Sequence, residues 1–137
     1  MTTEPVFNPV TNAVPTPQLR HHLDIACSRA GLSPSGAQLL HYYANAVWLL
    51  PQHPAIARVT YSALAHHKAR VNVAVCRWLV DQHGFPATEP LTADVVEVDA
   101  HTAATFWIYY PQPDDTTPSS AHLGHLLRRL HALPQPP

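Results

Sequence analysis

Charge is scarce along this chain. Only 12% of its 137 residues are Asp, Glu, Lys or Arg, and with histidine neutral they sum to a formal charge of -1. So weakly charged a surface carries no electrostatic footprint for a nucleic acid or an anionic membrane, and neither is expected as a partner. Cysteine is scarcer still: Cys27 and Cys76 stand outside any short-spaced metal or redox pair, each among apolar helical positions, and read as buried thiols. No run of about 18 consecutive apolar residues occurs, which removes the usual signature of a spanning helix. The opening MTTEPVFNPVTNAVPTP has no basic segment followed by an apolar run, so the default compartment is the cytoplasm. HExxH, Gly-x-Ser-x-Gly and an acid pair at a plausible active-site position are missing as well, leaving no ready-made hydrolytic centre.

Histidine and proline are abundant instead. Eleven histidines hide behind the formal charge, and their protonation makes solubility depend on pH between roughly 5.5 and 7.5. His122 and His125, three apart, would fit a zinc or nickel ion if a third ligand came from elsewhere. His21 and His22 point roughly 100° apart on a helix and are expected at the surface. The 15 prolines gather at the ends and in connections, where a missing N–H costs least.

Taken in order, residues 1–16 read as a flexible arm with Pro5, Pro9 and Pro15. A helix over 17–30 follows, capped by Thr16, opened by Pro17 and stopped by Gly31, with Leu19, Leu23, Ala26, Cys27 and Ala30 on one face. Residues 35–43 and 45–50 read as a hairpin turning at Tyr43-Ala44-Asn45, where Asn45 tolerates a left-handed conformation. Residues 55–61 make a third strand with Arg58 among apolar neighbours, a charge that needs either a partner or an edge position. Between Ser62 and Gly84 lies the helix expected to organise the fold, with Val71, Val75, Trp78 and Leu79 on its inner face. Val95, Val96 and Val98 suggest a fourth strand, and residues 103–110 a fifth. Thr117-Pro118 starts a last helix whose Leu123, Leu126, Leu127 and Leu130 share a face. The pattern predicts an α+β fold: a small, mostly antiparallel five-stranded sheet, a central packed helix, and amphipathic helices at both ends.

Five pieces carry a family resemblance that covers roughly residues 33–134: LLHYYANAVWLLP, AIARV, KARVNVAVCRWLVDQHGFPATEPL, TFWIYYP and, running on to the last residue, AHLGHLLRRLHALPQPP. Together they resemble the amino-terminal lobe of the aminoglycoside and choline kinase-like phosphotransferases, which have a protein-kinase-like fold. The resemblance implies a lobe over 17–112, followed over 113–137 by the hinge and the leucine-rich first helix of a second lobe. It implies ATP with magnesium as the cofactor, although no cofactor is needed for folding. Arg58 falls at the basic position that contacts nucleotide phosphates, and residues 41–45, including Asn45, at the turn that covers them. Val47 and Ala57 become the apolar walls of the nucleotide site, and Tyr109 and Tyr110 belong to the hinge. Asn72 stands where the family often has a glutamate, and HYYAN has no glycine for close phosphate approach. The adjacent hinge carboxylates Asp114 and Asp115 read as solvated.

The catalytic carboxylates belong to the second lobe in this family, and nothing here resembles HGDLHPGN. The leading expectation is therefore an incomplete phosphotransferase-like lobe acting as an interaction or split-enzyme subunit. Leu123, Leu126, Leu127 and Leu130 would meet a second copy or a separately encoded carboxyl-terminal lobe. Two alternatives stand beside it: an ATP-dependent small-molecule phosphotransferase completed in trans, and a histidine-rich interaction protein responsive to metal or pH.

Overall fold

Thr16 and Pro17 set the first helix as its sequence requires. In the computed structural model, which describes residues 16–92, 94–111 and 119–136, Thr16 Oγ1 accepts a hydrogen bond from the Leu19 N–H at 3.1 Å. Helix α1 (Pro17–Ala30) runs from there to Gly31, whose φ of 74° is the left-handed stop that a residue without Cβ takes easily. Strands β1 (Gln38–Tyr42), β2 (Asn45–Leu50) and β3 (Ala55–Tyr61) follow, then helix α2 (Ala65–His83), strands β4 (Val96–Asp99) and β5 (Thr102–Ile108), and helix α3 (Ser120–His131). The strands form one five-stranded sheet in the order β1-β2-β3-β5-β4, antiparallel at every pairing. The α+β architecture expected from the sequence is thus the one that forms.

Alternation along the strands gives the sheet two unlike faces. On one, Ala46, Trp48 and Leu50 of β2, Ala55, Ala57 and Val59 of β3, and Ala104 and Phe106 of β5 close against Leu19, Leu23, Ala26 and Cys27 of α1. The main core is therefore built on α1, not on α2 as the apolar run 69–80 suggested. Helix α2 lies on the opposite face and seals only part of it, through Ala65 and Ala69 against Ala103 of β5.

The inner face of α2 also differs from the expected one. Ala65, Ala69, Val73 and Leu79 are buried, whereas Val71 is 44% exposed and Val75 and Trp78 are half-buried. Small side chains let the helix lie close on Ala103, and that fit outweighs the larger apolar surface of the alternative stripe.

Several local expectations change for equally concrete reasons. β1 begins at Gln38 and not Ser35, because Pro34, Ser35 and Gly36 turn the chain, with the Ala37 N–H bonding the Pro34 carbonyl at 3.1 Å. The hairpin turn at Tyr43-Ala44 needs no left-handed residue; among the described residues only glycines have positive φ, and Asn45 is the first residue of β2. His22 is buried, not superficial: its Nδ1 lies 3.0 Å from the Tyr61 hydroxyl and its Nε2 3.6 Å from an Asp99 oxygen. β5 ends at Ile108, two residues early, and beside it Pro90 bridges to Trp107 while the Leu91 N–H bonds the Phe106 carbonyl.

α3 is capped by Ser119, whose hydroxyl accepts from the His122 N–H at 3.0 Å. The expected arm, the Thr117-Pro118 start and Asp114-Asp115 lie outside the described residues, Thr16 apart. None of the described helices is long and apolar enough to cross a membrane.

Candidate functional site

The half-covered face of the sheet carries the polar residues. Register puts Val47 directly beside Arg58, Asn45 beside Thr60, and Arg58 beside Thr105, so one surface holds them together across β2, β3 and β5. β3 is a central strand, which settles the position of Arg58: not at an edge facing water, but half-buried in the middle of the sheet. Above it, Lys68, Asn72 and Cys76 recur at the i, i+4, i+8 spacing of one helical stripe on α2.

Between strand face and helix stripe lie two adjoining chambers. The first, about 380 Å³, has Val47, Ile56, Trp107 and Ile108 as apolar walls, with His41 and Thr88 at its rim. Trp107 is held there by its indole N–H, which donates to Thr105 Oγ1 at 2.9 Å. The second, about 260 Å³, is polar: Thr60, Ser62 and Lys68 line it. Asn45, Arg58 and Asn72 line both, so the two form one crevice with an apolar end and a cationic end.

No described residue lining either chamber carries a carboxylate. Neither the Arg58 guanidinium nor the Lys68 ammonium makes an ion pair or side-chain hydrogen bond among the described residues. A half-buried guanidinium without a counter-charge has its parallel N–H donors free for an anion. Burial pushes the Cys76 thiol up from its ordinary value, against the opposing pull of Arg58, so the sulfur at the crevice wall stays protonated. Tyr61 is pushed up to about 12, first by burial and then by Tyr42 and Asp99, and keeps its hydroxyl proton beside His22.

A wider groove of about 580 Å³ runs along the other side of α2 between Arg70, Val73, Arg77 and Val95. Its cations are already engaged: Arg70 bonds Glu97 at 3.1 Å, while Arg77 lies 3.9 Å from Asp81 and donates to the Pro90 carbonyl at 3.4 Å. Of the two cavities, the crevice is the one whose cations have no acidic partner among the described residues, which makes the smaller cavity the better candidate.

Of the residues singled out from sequence, Arg58, Asn45 and Val47 are brought together. Ala57 is not. It is fully buried on the α1 face, and Ile56, one residue earlier, takes the wall position, because strand side chains alternate faces. Tyr109 and Tyr110 follow the end of β5 and do not line the crevice; Trp107 and Ile108 do. His122 and His125 are exposed on α3, and among the described residues no three His, Cys, Asp or Glu side chains converge as a metal site. Lys68, Thr60 and Ser62 are not among the site residues expected from the sequence, although the parity of Arg58 and Thr60 and the spacing of Lys68 and Asn72 signal them.

The crevice suits phosphate groups, which seek guanidinium, ammonium, hydroxyl and amide donors. It does not suit a magnesium ion by itself, since magnesium is held through carboxylates and phosphate oxygens and the described lining supplies no carboxylate. Comparison of the chain with protein-family models, with curated proteins and with solved structures gave no match.

Proposed function

We propose that the chain is the nucleotide-holding lobe of a phosphotransferase-type site, incomplete by itself and completed by a second body of protein. One observation carries the reading: two cations, Arg58 and Lys68, without counter-charges among the described residues, sit at the polar end of a crevice whose other end is apolar. That polarity matches a nucleoside phosphate, with the base against Val47, Ile56 and Trp107 and the phosphates toward Arg58, Lys68 and the Asn72 amide. The order of hairpin, basic third strand, helix, fifth strand and last helix supports the resemblance to the amino-terminal lobe of aminoglycoside and choline kinase-like enzymes.

Phosphoryl transfer also needs an acceptor-orienting base and carboxylate-held magnesium, which on this reading the second body brings. The cytoplasm fits the proposal, being reducing enough to keep Cys27 and Cys76 as the free thiols they are.

Calorimetry tests the reading. ATP titrated into the wild-type chain, with magnesium and again with a chelator, is expected to release heat in both series, because the crevice binds phosphate without a metal of its own. In Arg58→Ala the affinity falls at least tenfold, about 1.4 kcal/mol. No heat from the wild type, or equal heat from the variant, overturns it.

A further inference from the structure

The last helix has an apolar side that the described residues leave largely uncovered. α3 has no buried residue, and Leu123, Leu127 and Leu130 are 48%, 53% and 37% exposed, with Leu126 half-buried beside them. The Arg129 guanidinium lies 5.4 Å over the Phe85 ring, which ties the last turn to the chain just beyond α2 while the leucines stay outward. Their positions are i, i+3, i+4 and i+7, the anchor spacing of a helix laid into a groove.

The polar side of the same helix is of one sign. Its sequence SAHLGHLLRRLH contains Arg128, Arg129 and three histidines and no acid. A partner that covers the leucines therefore gains by bringing carboxylates to the rim of its apolar surface, where they meet the cationic flanks of the helix.

A second copy of α3 brings no carboxylate. Antiparallel pairing would set cationic flanks against cationic flanks. Two helices about 18 Å long, touching along one stripe, also fall short of the roughly 800 Å² per partner of a stable interface. A groove enclosing the helix on both sides of the stripe buries more of each leucine. An anionic bilayer is a poorer match, because the helix is short, carries no aromatic anchor, and belongs to a chain of net charge -1.

We infer that α3 is a docking helix, received by an apolar, carboxylate-rimmed groove on the protein that completes the crevice. The inference rests on the two-body reading for the partner's identity, but its chemistry is testable separately. Phe85, which Arg129 covers, lies three residues before Thr88 of the crevice lining, so the last turn of α3 is anchored to the segment that leads to the ligand site.

The probe is a labelled synthetic peptide folded as a two-helix hairpin, its groove lined by leucine and rimmed by glutamate, with a twin rimmed by lysine. Each is titrated by anisotropy against the full chain. The acidic peptide is expected to bind at least tenfold more tightly than its twin, and to weaken at least tenfold with Leu127→Asp and with the double variant Arg128→Glu, Arg129→Glu. Both variants leave the buried core untouched, and circular dichroism confirms that they fold.

Equal affinity for the twins, or no binding of either, overturns the inference. So does a wild-type dimer that Leu127→Asp dissolves, which would make a second copy the occupant. Leucine-dependent binding of phosphatidylglycerol vesicles in preference to the acidic peptide also overturns it. Loss of ATP heat with peptide binding intact would defeat the nucleotide reading and leave the docking helix standing.

Discussion

The two faces of one sheet are built by opposite rules. Against α1, the inward positions Ala46, Trp48, Leu50, Ala55, Ala57, Val59, Ala104 and Phe106 are apolar and closed to solvent, with Tyr61 and Thr102 at one end of the face. Beneath α2, the neighbouring positions are Asn45, Arg58, Thr60 and Thr105, and the helix covers them with alanines near β5 but leaves the β2–β3 side open. Packing is complete on one face, and a polar crevice is left on the other. Because alternate residues of a single strand belong to the two faces, one position separates a core side chain from a site side chain.

The comparison breaks most directly with a pair of substitutions. Trp48→Ala empties a fully buried site and is expected to cost about 3–5 kcal/mol in urea unfolding. Arg58→Met, on the other face, is expected to cost no more than about 1 kcal/mol, since it removes a charge that has no counter-charge among the described residues and keeps most of the packed stem, while ATP heat is lost. Comparable destabilisation by the two would mean that the faces do not divide the work.

Neighbours in β3 sharpen the division at smaller scale. Ala57→Leu overpacks the closed face and is expected to destabilise by about 1–3 kcal/mol without changing ligand affinity. Ile56→Ala, one position away, should instead show mainly in the ligand titration, because it removes a wall of the crevice.

Alkaline pH probes mainly the closed face, with Cys76 at the crevice wall as a further raised group. Tyr61 is raised from 10.0 to about 12 and Cys27 from 9.0 to about 11, both chiefly by burial. A folded value above the unfolded one means that the stabilisation is whole below the unfolded value and disappears as pH climbs through the folded one. Unfolding monitored by tryptophan fluorescence should therefore show stability falling between pH 9 and 12, with Tyr61→Phe flattening the upper part of that fall. The smallest expected effect on stability is that of Lys68→Met, within about 0.5 kcal/mol because the side chain is exposed. Its phosphate affinity should nonetheless fall and become less sensitive to salt, as fluorescence titration at two ionic strengths would reveal.

How much of this was legible follows from how local each signal is. Thr16, Pro17 and Gly31 act within a few residues of themselves, and α1 begins and ends where they say. The strands could be read from β-branched and aromatic residues, and Arg58 stood out because a cation inside an apolar strand is costly. The buried stripe of α2 was not legible, since periodicity favours the larger Val71, Val75 and Trp78, while the choice of Ala65 and Ala69 depends on Ala103, 34 residues beyond Ala69 in the chain. His22 was misread for a similar reason: Tyr61 and Asp99, which surround it, come from elements that its own helix does not announce. In the crevice, the basic residue was legible and the wall beside it was missed by one position, Ala57 for Ile56.

The margins of the sheet have their own consequence. β1 and β4, its two outermost strands, are five and four residues long, and each slips register, at Leu39/His41 and at Glu97/Asp99. Interrupted and brief, neither offers a straight row of backbone groups for a neighbouring chain to zip onto. Concentrated solutions of this protein are thereby guarded against fibril growth by strand capture.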